Sequence, residues 1–268
     1  QLDEFKLRLP YYGERRNFPS QKGVSYLSVH FRFGTISIRK ALISAFELIE
    51  NFNHSEERQK NIETWISELI WREFYMQILY NFPHVSSGCF KKEYDCIEWD
   101  NNEELFNKWT EGNTGFPIVD AGMRQLNKTG YMHNRLRMIT ASFLTKDLGV
   151  NWQLGENYFS HKLNDFDLSA NNGGWQWSAS TGCDAQPYFR IFNPTTQSKN
   201  FDPEGTFIKK YIPELTEIEE KLIHDPYSNS NLEKRYSKNI NDYPKPIVDH
   251  AKARMKTLER FKKVREMN

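Results

Sequence analysis

The side chains able to do chemistry fall in a few short stretches of the chain. In SELIWREF, Glu68, Trp71 and Arg72 stand at i, i+3 and i+4, so a carboxylate, an indole and a guanidinium share one face of a helix. The same spacing fits an ordinary ion pair between Glu68 and Arg72, worth about 0.3–0.5 kcal/mol in this orientation. MHNRLRM lays Asn134, Arg137 and Met138 along one helix face, with His133 and Arg135 pointing elsewhere. An arginine on a mostly apolar helix needs a partner. NDFDLSANNGGWQW offers Asp165 and Asp167 close to Asn171. They could form a carboxylate pair for acid–base work, a helix cap followed by a solvated aspartate, or partners for the arginines, and spacing leaves all three open. Adjacent glycines cost backbone entropy in a helix or a strand. Gly173 and Gly174 therefore read as a tight turn flanked by two indoles, Trp175 and Trp177.

Helices must hold these groups. Ile62, Ile66, Leu69 and Ile70 recur at helical spacing in residues 62–79, and Leu136, Ile139, Phe143 and Leu144 do so in 130–148, so both segments are expected to be buried helices. Further helices are expected over 38–51, 103–110 and 117–127, the last opening with proline near its first turn. Strand signals are scarce, which makes the fold class all-α. The tail over 247–266 carries Lys252, Arg254, Lys256, Arg260, Lys262, Lys263 and Arg265 on an amphipathic pattern and reads as a solvated helix face without a function. Residues 225–246 read as a long irregular connection, so 1–268 is taken as one domain.

Composition narrows the classes. A chain of 268 residues with 26% charged residues and a net charge of +1 has no global pull toward nucleic acid or membrane, so any polyanion must meet a local patch. Three cysteines without a CxxC pair argue against a disulfide framework or a metal site and for a reducing compartment. No apolar run reaches membrane-spanning length and no signal peptide is visible, so an intracellular, cytoplasmic protein is expected.

Together, GVSYLSVHFRFGTISIR from Gly23, ELIWREFY, WTEGNTGFPIVDAGMRQLNKTGYMHNRLRMITASFLTKDL, DFDLSANNGGWQWSASTG and PYFRIFNPTTQSKNFDPEGTFIKKYIPEL strongly resemble the flavin-binding helical domain of the photolyase and cryptochrome family. They look most like its class I cyclobutane pyrimidine dimer photolyases, in order and spacing, over 12–260. The resemblance implies FAD folded into a compact U, at positions matched by Tyr12, Val24, Ser25, Tyr26, Leu27, Ser28, Trp65, Arg72, Arg137, Asp165, Phe166, Asp167 and Asn171. Hydroxyls of Tyr12, Ser25 and Ser28 would face the pyrophosphate, with Val24 where the family usually has threonine. Arg137 and Asp165 look like an ion pair beside the isoalloxazine, favouring the anionic reduced ring. Asn171 matches the side chain facing flavin N5, where plant cryptochromes carry Asp and animal ones Cys.

By the same resemblance, Trp175, Trp152 and Trp99 form an electron-hopping path to the surface. Trp71 and Trp177 wall a pocket for a flipped-out thymine dimer, whose edges meet Glu68 and Asn134 and whose apolar side meets Met138. The related (6-4) photolyases have histidine where this chain has Asn134 and Met138. Arg16, Arg135, Arg190, Gln197 and Lys199 match positions near the phosphates of damaged DNA. Tyr131, where the family usually has tryptophan, is given no role.

The implied activity is light-driven repair by excited FADH⁻, with a cryptochrome-like photoreceptor as the alternative and a flavin-free damage-binding module as a third class. The resemblance further implies a monomer bound to DNA, without membrane contact. An N-terminal α/β antenna domain is expected to be missing, the chain being a fragment of a two-domain protein.

Overall fold

The computed structural model describes residues 1–228 and 242–267, so that 229–241 of the expected long connection lie outside the described residues. Among the described residues there are helices and turns and no strand. The N-terminal part contains α1 (Leu2–Lys6), α2 (Tyr12–Arg15), α3 (Ser28–Arg32), α4 (Ile38–Asn51) and the long α5 (Glu56–Asn81). The remainder contains α6 (Glu103–Glu111), α7 (Pro117–Thr129), α8 (Asn134–Ser142), α9 (Trp152–Lys162), α10 (Leu168–Ala179), α11 (Pro194–Phe201), α12 (Thr206–Tyr211) and α13 (His250–Met267).

Local chemistry sets several of these limits. Asn102 caps α6 by accepting from the Leu105 N–H, and Gly112 ends it at φ +70°. Pro117 opens α7, while the buried Asp120 of its first turn accepts from the Thr114 and Gly115 N–H groups and from the Thr114 and Tyr243 hydroxyls. The segment expected as one helix over 130–148 begins later. Gly130 is the left-handed end of α7, His133 caps α8, and α8 passes into a π-helical turn over Phe143–Asp147.

Two apolar cores result. The larger joins α6 to α10 with α12, through Trp109, Met123, Leu136, Phe143, Trp152 and Phe159 among others. The smaller holds α1 to α5 together through Phe5, Leu9, Tyr12, Leu27, Ile62 and Trp65. The expected burial of 62–79 holds only near its start. Ile62 and Trp65 are buried, but Ile70 is 63% exposed, because the far half of α5 runs past the small core.

The tight turn expected at Gly173 and Gly174 is absent: α10 runs straight through both glycines. A Cβ on Gly173 would stand 2.1 Å from Tyr75 Cδ1, so this glycine lets α10 approach α5 closely. Around it Gln176 accepts from the Phe90 N–H at 2.8 Å and donates to the Val85 carbonyl at 3.1 Å, which offsets the entropy that Gly-Gly costs.

The basic tail is also less solvated than expected. Arg260 is buried on α13, where it donates to the Glu98 carbonyl and the Asp100 carboxylate and lies over the Trp99 ring. Beneath α13 is Lys146, 1% exposed, whose ammonium donates to the Ala179 carbonyl and Ser180 Oγ at the end of α10 and stands 4.0 Å from the Phe261 ring centroid. Burial holds its pKa well below the ordinary lysine range.

Candidate functional site

The arginine on α8 that needed a partner has one. Arg137 Nη2 donates to both oxygens of Asp165, at 3.1 and 2.9 Å, and its Nε to the Met132 carbonyl at 2.8 Å. Burial pushes the Asp165 carboxyl up, but the Arg137 guanidinium outweighs it and keeps the group ionised below the usual carboxylate range. The three readings of the aspartates are thereby resolved. Asp165 is the arginine's partner, and Asp167 caps α10, accepting from the Ala170 N–H and the Ser169 hydroxyl. Phe166 between them packs on the large core, and its carbonyl receives Arg32.

On α8, Asn134 and Met138 share a face as expected, with Asn134 Nδ2 3.8 Å from Met138 Sδ. His133 lies buried behind them as the helix cap, accepting from the Arg135 N–H. Its pKa is pushed down to about 4, first by burial and then by Arg135 and Arg137.

The next wall is α10. Asn171 is half-buried and its Nδ2 donates to the backbone oxygen and Oε1 of Glu156 on α9. Gly174, one turn on, is exposed, and a Cβ there would find nothing within 4 Å. Trp175 and Trp177 are about 200° apart around the helix, so they face opposite ways for a helical reason rather than across a turn. Trp175 is buried and so close to α9 that a Cβ on Gly155 would lie 2.1 Å from its Cη2. Trp177 is half-buried and points toward Phe192, its ring centroid 6.5 Å away.

The opposite wall comes from the N-terminal helices. Tyr12 is buried and its phenol is held protonated, chiefly by burial. Residues 24–27 form a loop that leads into α3 at Ser28 and is fastened by Arg8, whose Nη1 donates to the Lys22 and Val24 carbonyls, both at 2.8 Å. Within it Ser25 Oγ accepts from the Leu27 N–H, Leu27 is buried, and the Ser28 hydroxyl lies beside Asp165. Tyr26 takes φ +56°, costly for a non-glycine, and its ring packs 5.5 Å from that of Tyr131. Trp65 is buried against Phe5. The expected Glu68–Arg72 helix pair is not formed. Arg16 takes Glu68 instead, at 2.6 Å, because α2 lies against α5. Arg72 is left half-buried with no ion pair or hydrogen bond to the described residues. Trp71 is 42% exposed, edge-on to Phe74.

The three tryptophans of the supposed path are related through their neighbours. Trp152 starts α9, one turn before the glycine that receives Trp175, and the loop of Trp99 joins the residues preceding Trp152 through the Asp100 N–H to the Gly149 carbonyl at 2.8 Å. Of the DNA-facing candidates, Arg135 donates to Asn17 Oδ1 and lies over Phe201, Arg190 and Lys199 are exposed, and Gln197 turns a buried, unpartnered Oε1 inward. Sequence reasoning gave no role to Glu156 or to Trp109, which is edge-on to Trp175 at 6.0 Å, and it placed the buried Arg260 on a solvated face. Only Glu156 left a trace in the sequence, a carboxylate one turn after Trp152.

The set suits a flavin nucleotide. A free half-buried guanidinium with serine and tyrosine hydroxyls fits a diphosphate, and an ion pair beside a side-chain-free, open helix face fits a flat, redox-active ring.

Comparison with known proteins agrees. The family described as FAD binding domain of DNA photolyase matches residues 65–263. A deoxyribodipyrimidine photo-lyase of Neurospora crassa is 48% identical over 259 residues, covering 94% of this chain and 42% of that protein. Among solved structures, a class III photolyase from Agrobacterium tumefaciens superposes with TM-score 0.92 at 40% identity, over 99% of this chain and 55% of that one. A cryptochrome from Synechocystis does so with TM-score 0.85 at 30% identity, over 96% and 54%. The chain spans about half the length of the curated relatives it matches.

Proposed function

Because the chain belongs to the family of FAD-binding domains of DNA photolyases, we propose that residues 1–268 act as the catalytic domain of a light-driven DNA repair enzyme. The observation that carries this reading is the open face of α10, where Asn171 and the bare Gly174 adjoin the helix bearing the Arg137–Asp165 pair. When bound in its reduced anionic form, FAD supplies the electron that light drives into a pyrimidine dimer and that returns after the cyclobutane bonds open.

The chain's own residues do the rest. Arg72 and the hydroxyls of Tyr12, Ser25 and Ser28 hold the diphosphate, with Trp65 and Leu27 filling behind them. Arg137 faces the negative charge of the reduced ring, and Asp165 fixes its guanidinium. Glu68 and Asn134 recognise the edges of the flipped dimer, Met138 its apolar side, and Trp71 and Trp177 stack on the bases, each stack worth about 1–3 kcal/mol. Arg16, Arg135, Arg190, Gln197 and Lys199 face the phosphates of the damaged strand. Trp175, Trp152 and Trp99 relay electrons inward from the surface.

The protein works as a monomer on DNA inside the cell, and no helix among the described residues is long and apolar enough to cross a membrane. An antenna pigment belongs to a separate α/β domain. The photoreceptor alternative is favoured only by the likeness to the cryptochrome structure, at lower identity than the photolyases.

The test loads the chain with FAD, reduces it chemically and illuminates it with an oligonucleotide containing a thymine dimer. Dimer loss in light and none in darkness is expected. Trp175→Phe should abolish photoreduction of the oxidised cofactor and leave repair by chemically reduced protein nearly unchanged. Failure to bind FAD, or binding without light-dependent dimer loss, overturns the reading.

A further inference from the structure

Trp99 is bracketed by one side chain. Arg260, 8% exposed on α13, donates from Nε to the Glu98 carbonyl at 2.8 Å and from Nη2 to the Asp100 carboxylate at 2.7 Å, so the residues on either side of Trp99 are bonded to one guanidinium. The guanidinium carbon lies over the indole, 5.7 Å from the ring centroid. Phe261 and Val264 of the same helix pack with Trp99. The contact between Arg260 and Asp100 is seated on Gly149, three residues before Trp152. A Cβ there would lie 2.4 Å from Asp100 Oδ2 and 2.8 Å from Arg260 Nη2.

The charges beside the ring do not cancel. Asp100 is paired with Lys256 Nζ at 2.9 Å as well as with Arg260, so one carboxylate stands against two cations. Glu98 is exposed to screening solvent and pairs with neither cation. A neutral indole is attracted to a fixed cation. An oxidised indole carries a positive charge of its own, which the cation repels, and loss of the ring N–H proton removes that charge. At this range near a protein surface one net charge changes such an equilibrium about 10-fold or more.

We propose that Arg260 is a positioning residue for Trp99, which fixes a cation against the indole so that the ring, once oxidised, gives up its N–H proton. The electron passes inward to the oxidised Trp152, the proton passes to water beside the half-buried Trp99, and a neutral radical remains at the surface end. Return of an electron to that radical then requires a proton as well, which slows the reverse step. The inference rests on the reading of Trp175, Trp152 and Trp99 as an electron path.

The test follows the tryptophan radical by transient absorption after a light pulse on the FAD-loaded chain, since the radical cation and the neutral radical differ in spectrum. Arg260→Gln, which has no charge, should slow conversion to the neutral radical about 10-fold. Arg260→Lys keeps a cation and should convert at close to the parent rate. Asp100→Asn leaves both cations uncompensated and should convert faster than the parent, a gain that loosened packing does not produce. On the chain without flavin, 5-fluorotryptophan is incorporated and the Trp99 fluorine resonance, assigned by its loss in Trp99→Phe, should move in Arg260→Gln and move back in Arg260→Lys. Conversion at the parent rate in Arg260→Gln overturns the proposal, as does slower conversion in Asp100→Asn or a Trp99 resonance that Arg260→Gln leaves in place. If Trp99→Phe leaves the radical signal unchanged, the path reading fails and the proposal with it. If the parent chain binds no FAD, the flavin reading fails, and the fluorine resonance alone decides whether Arg260 acts on the ring.

Discussion

The wall made by α8 and α10 rests on the larger core, and its polar groups are spoken for within the protein: Arg137 by Asp165 and the Met132 carbonyl, Asn171 by Glu156, Asp167 by the first turn of α10. The wall made by residues 12–28 and α5 rests on the smaller core, and it leaves Arg72 without a partner among the described residues and Tyr26 in a strained backbone conformation. The first wall is pre-organised by its own bonds. The second holds a donor that the described residues do not engage. A guanidinium bound internally contributes to stability, whereas one kept free is available to a ligand, and on the proposed reading the two arginines divide accordingly.

The comparison breaks most readily at those two arginines. Arg137→Ala leaves Asp165, whose side chain is only 6% exposed, as an unpaired buried charge and should cost about 3 kcal/mol in a urea titration. Arg72→Ala should cost less than about 0.5 kcal/mol while weakening FAD by at least as much as Arg137→Ala does. Equal destabilisation by the two would end the distinction.

The walls should also fail at opposite ends of the pH scale. His133 stays neutral in the fold, with its pKa pushed from 6.5 to about 4, so its contribution is present above pH 6.5 and is lost as pH falls toward 4. The loss should be on the order of 3 kcal/mol. Tyr12 has its phenol pKa raised above 10.0 by burial first and by Glu68 second, so its contribution is present below that pH and is lost as pH rises through it. His133→Gln should flatten the acid limb of a stability–pH profile and Tyr12→Phe the alkaline limb. If either substitution flattens the other limb, the assignment of limbs to walls is wrong.

The smallest effects sharpen the picture within α10 itself. Gly173→Ala drives a methyl into Tyr75 and should destabilise the chain by about 1–3 kcal/mol. Gly174→Ala meets open space and should stabilise the flavin-free chain by about 0.5–1 kcal/mol through helix propensity, while weakening FAD binding. Thermal melts with and without FAD separate the two.

What could be read in the chain was local. Helix limits such as Ile38–Asn51 and the cap at Asp167 depend on residues a few positions apart, and so did the demand of Arg137 for a partner. The choice of that partner, the exchange of Arg72 for Arg16 beside Glu68, and the burial of Arg260 depend on contacts between distant segments, which spacing does not encode. Gly173 shows the same limit. Two adjacent glycines are a turn by local entropy, and they are helix here because Tyr75, far away in sequence, needs the room. The resemblance named the candidate residues of the site, and Glu156 escaped it because its contact with Asn171 joins two helices, α9 and α10, that spacing does not relate.

Lys146 ties the end of α10 to Phe261, and this has a consequence in time. A chain made on a ribosome emerges from its amino end, so α10 is complete well before the ring that shields this ammonium exists. Until then the ammonium must stay hydrated, because a lone charge against an apolar core is unfavourable. The last turn of α10 is accordingly secured only after α13 has been synthesised. Closing of the wall that carries Asn171 and Trp175 should therefore wait for α13 to emerge, and a nascent chain stalled before Phe261 should expose that helix end to protease.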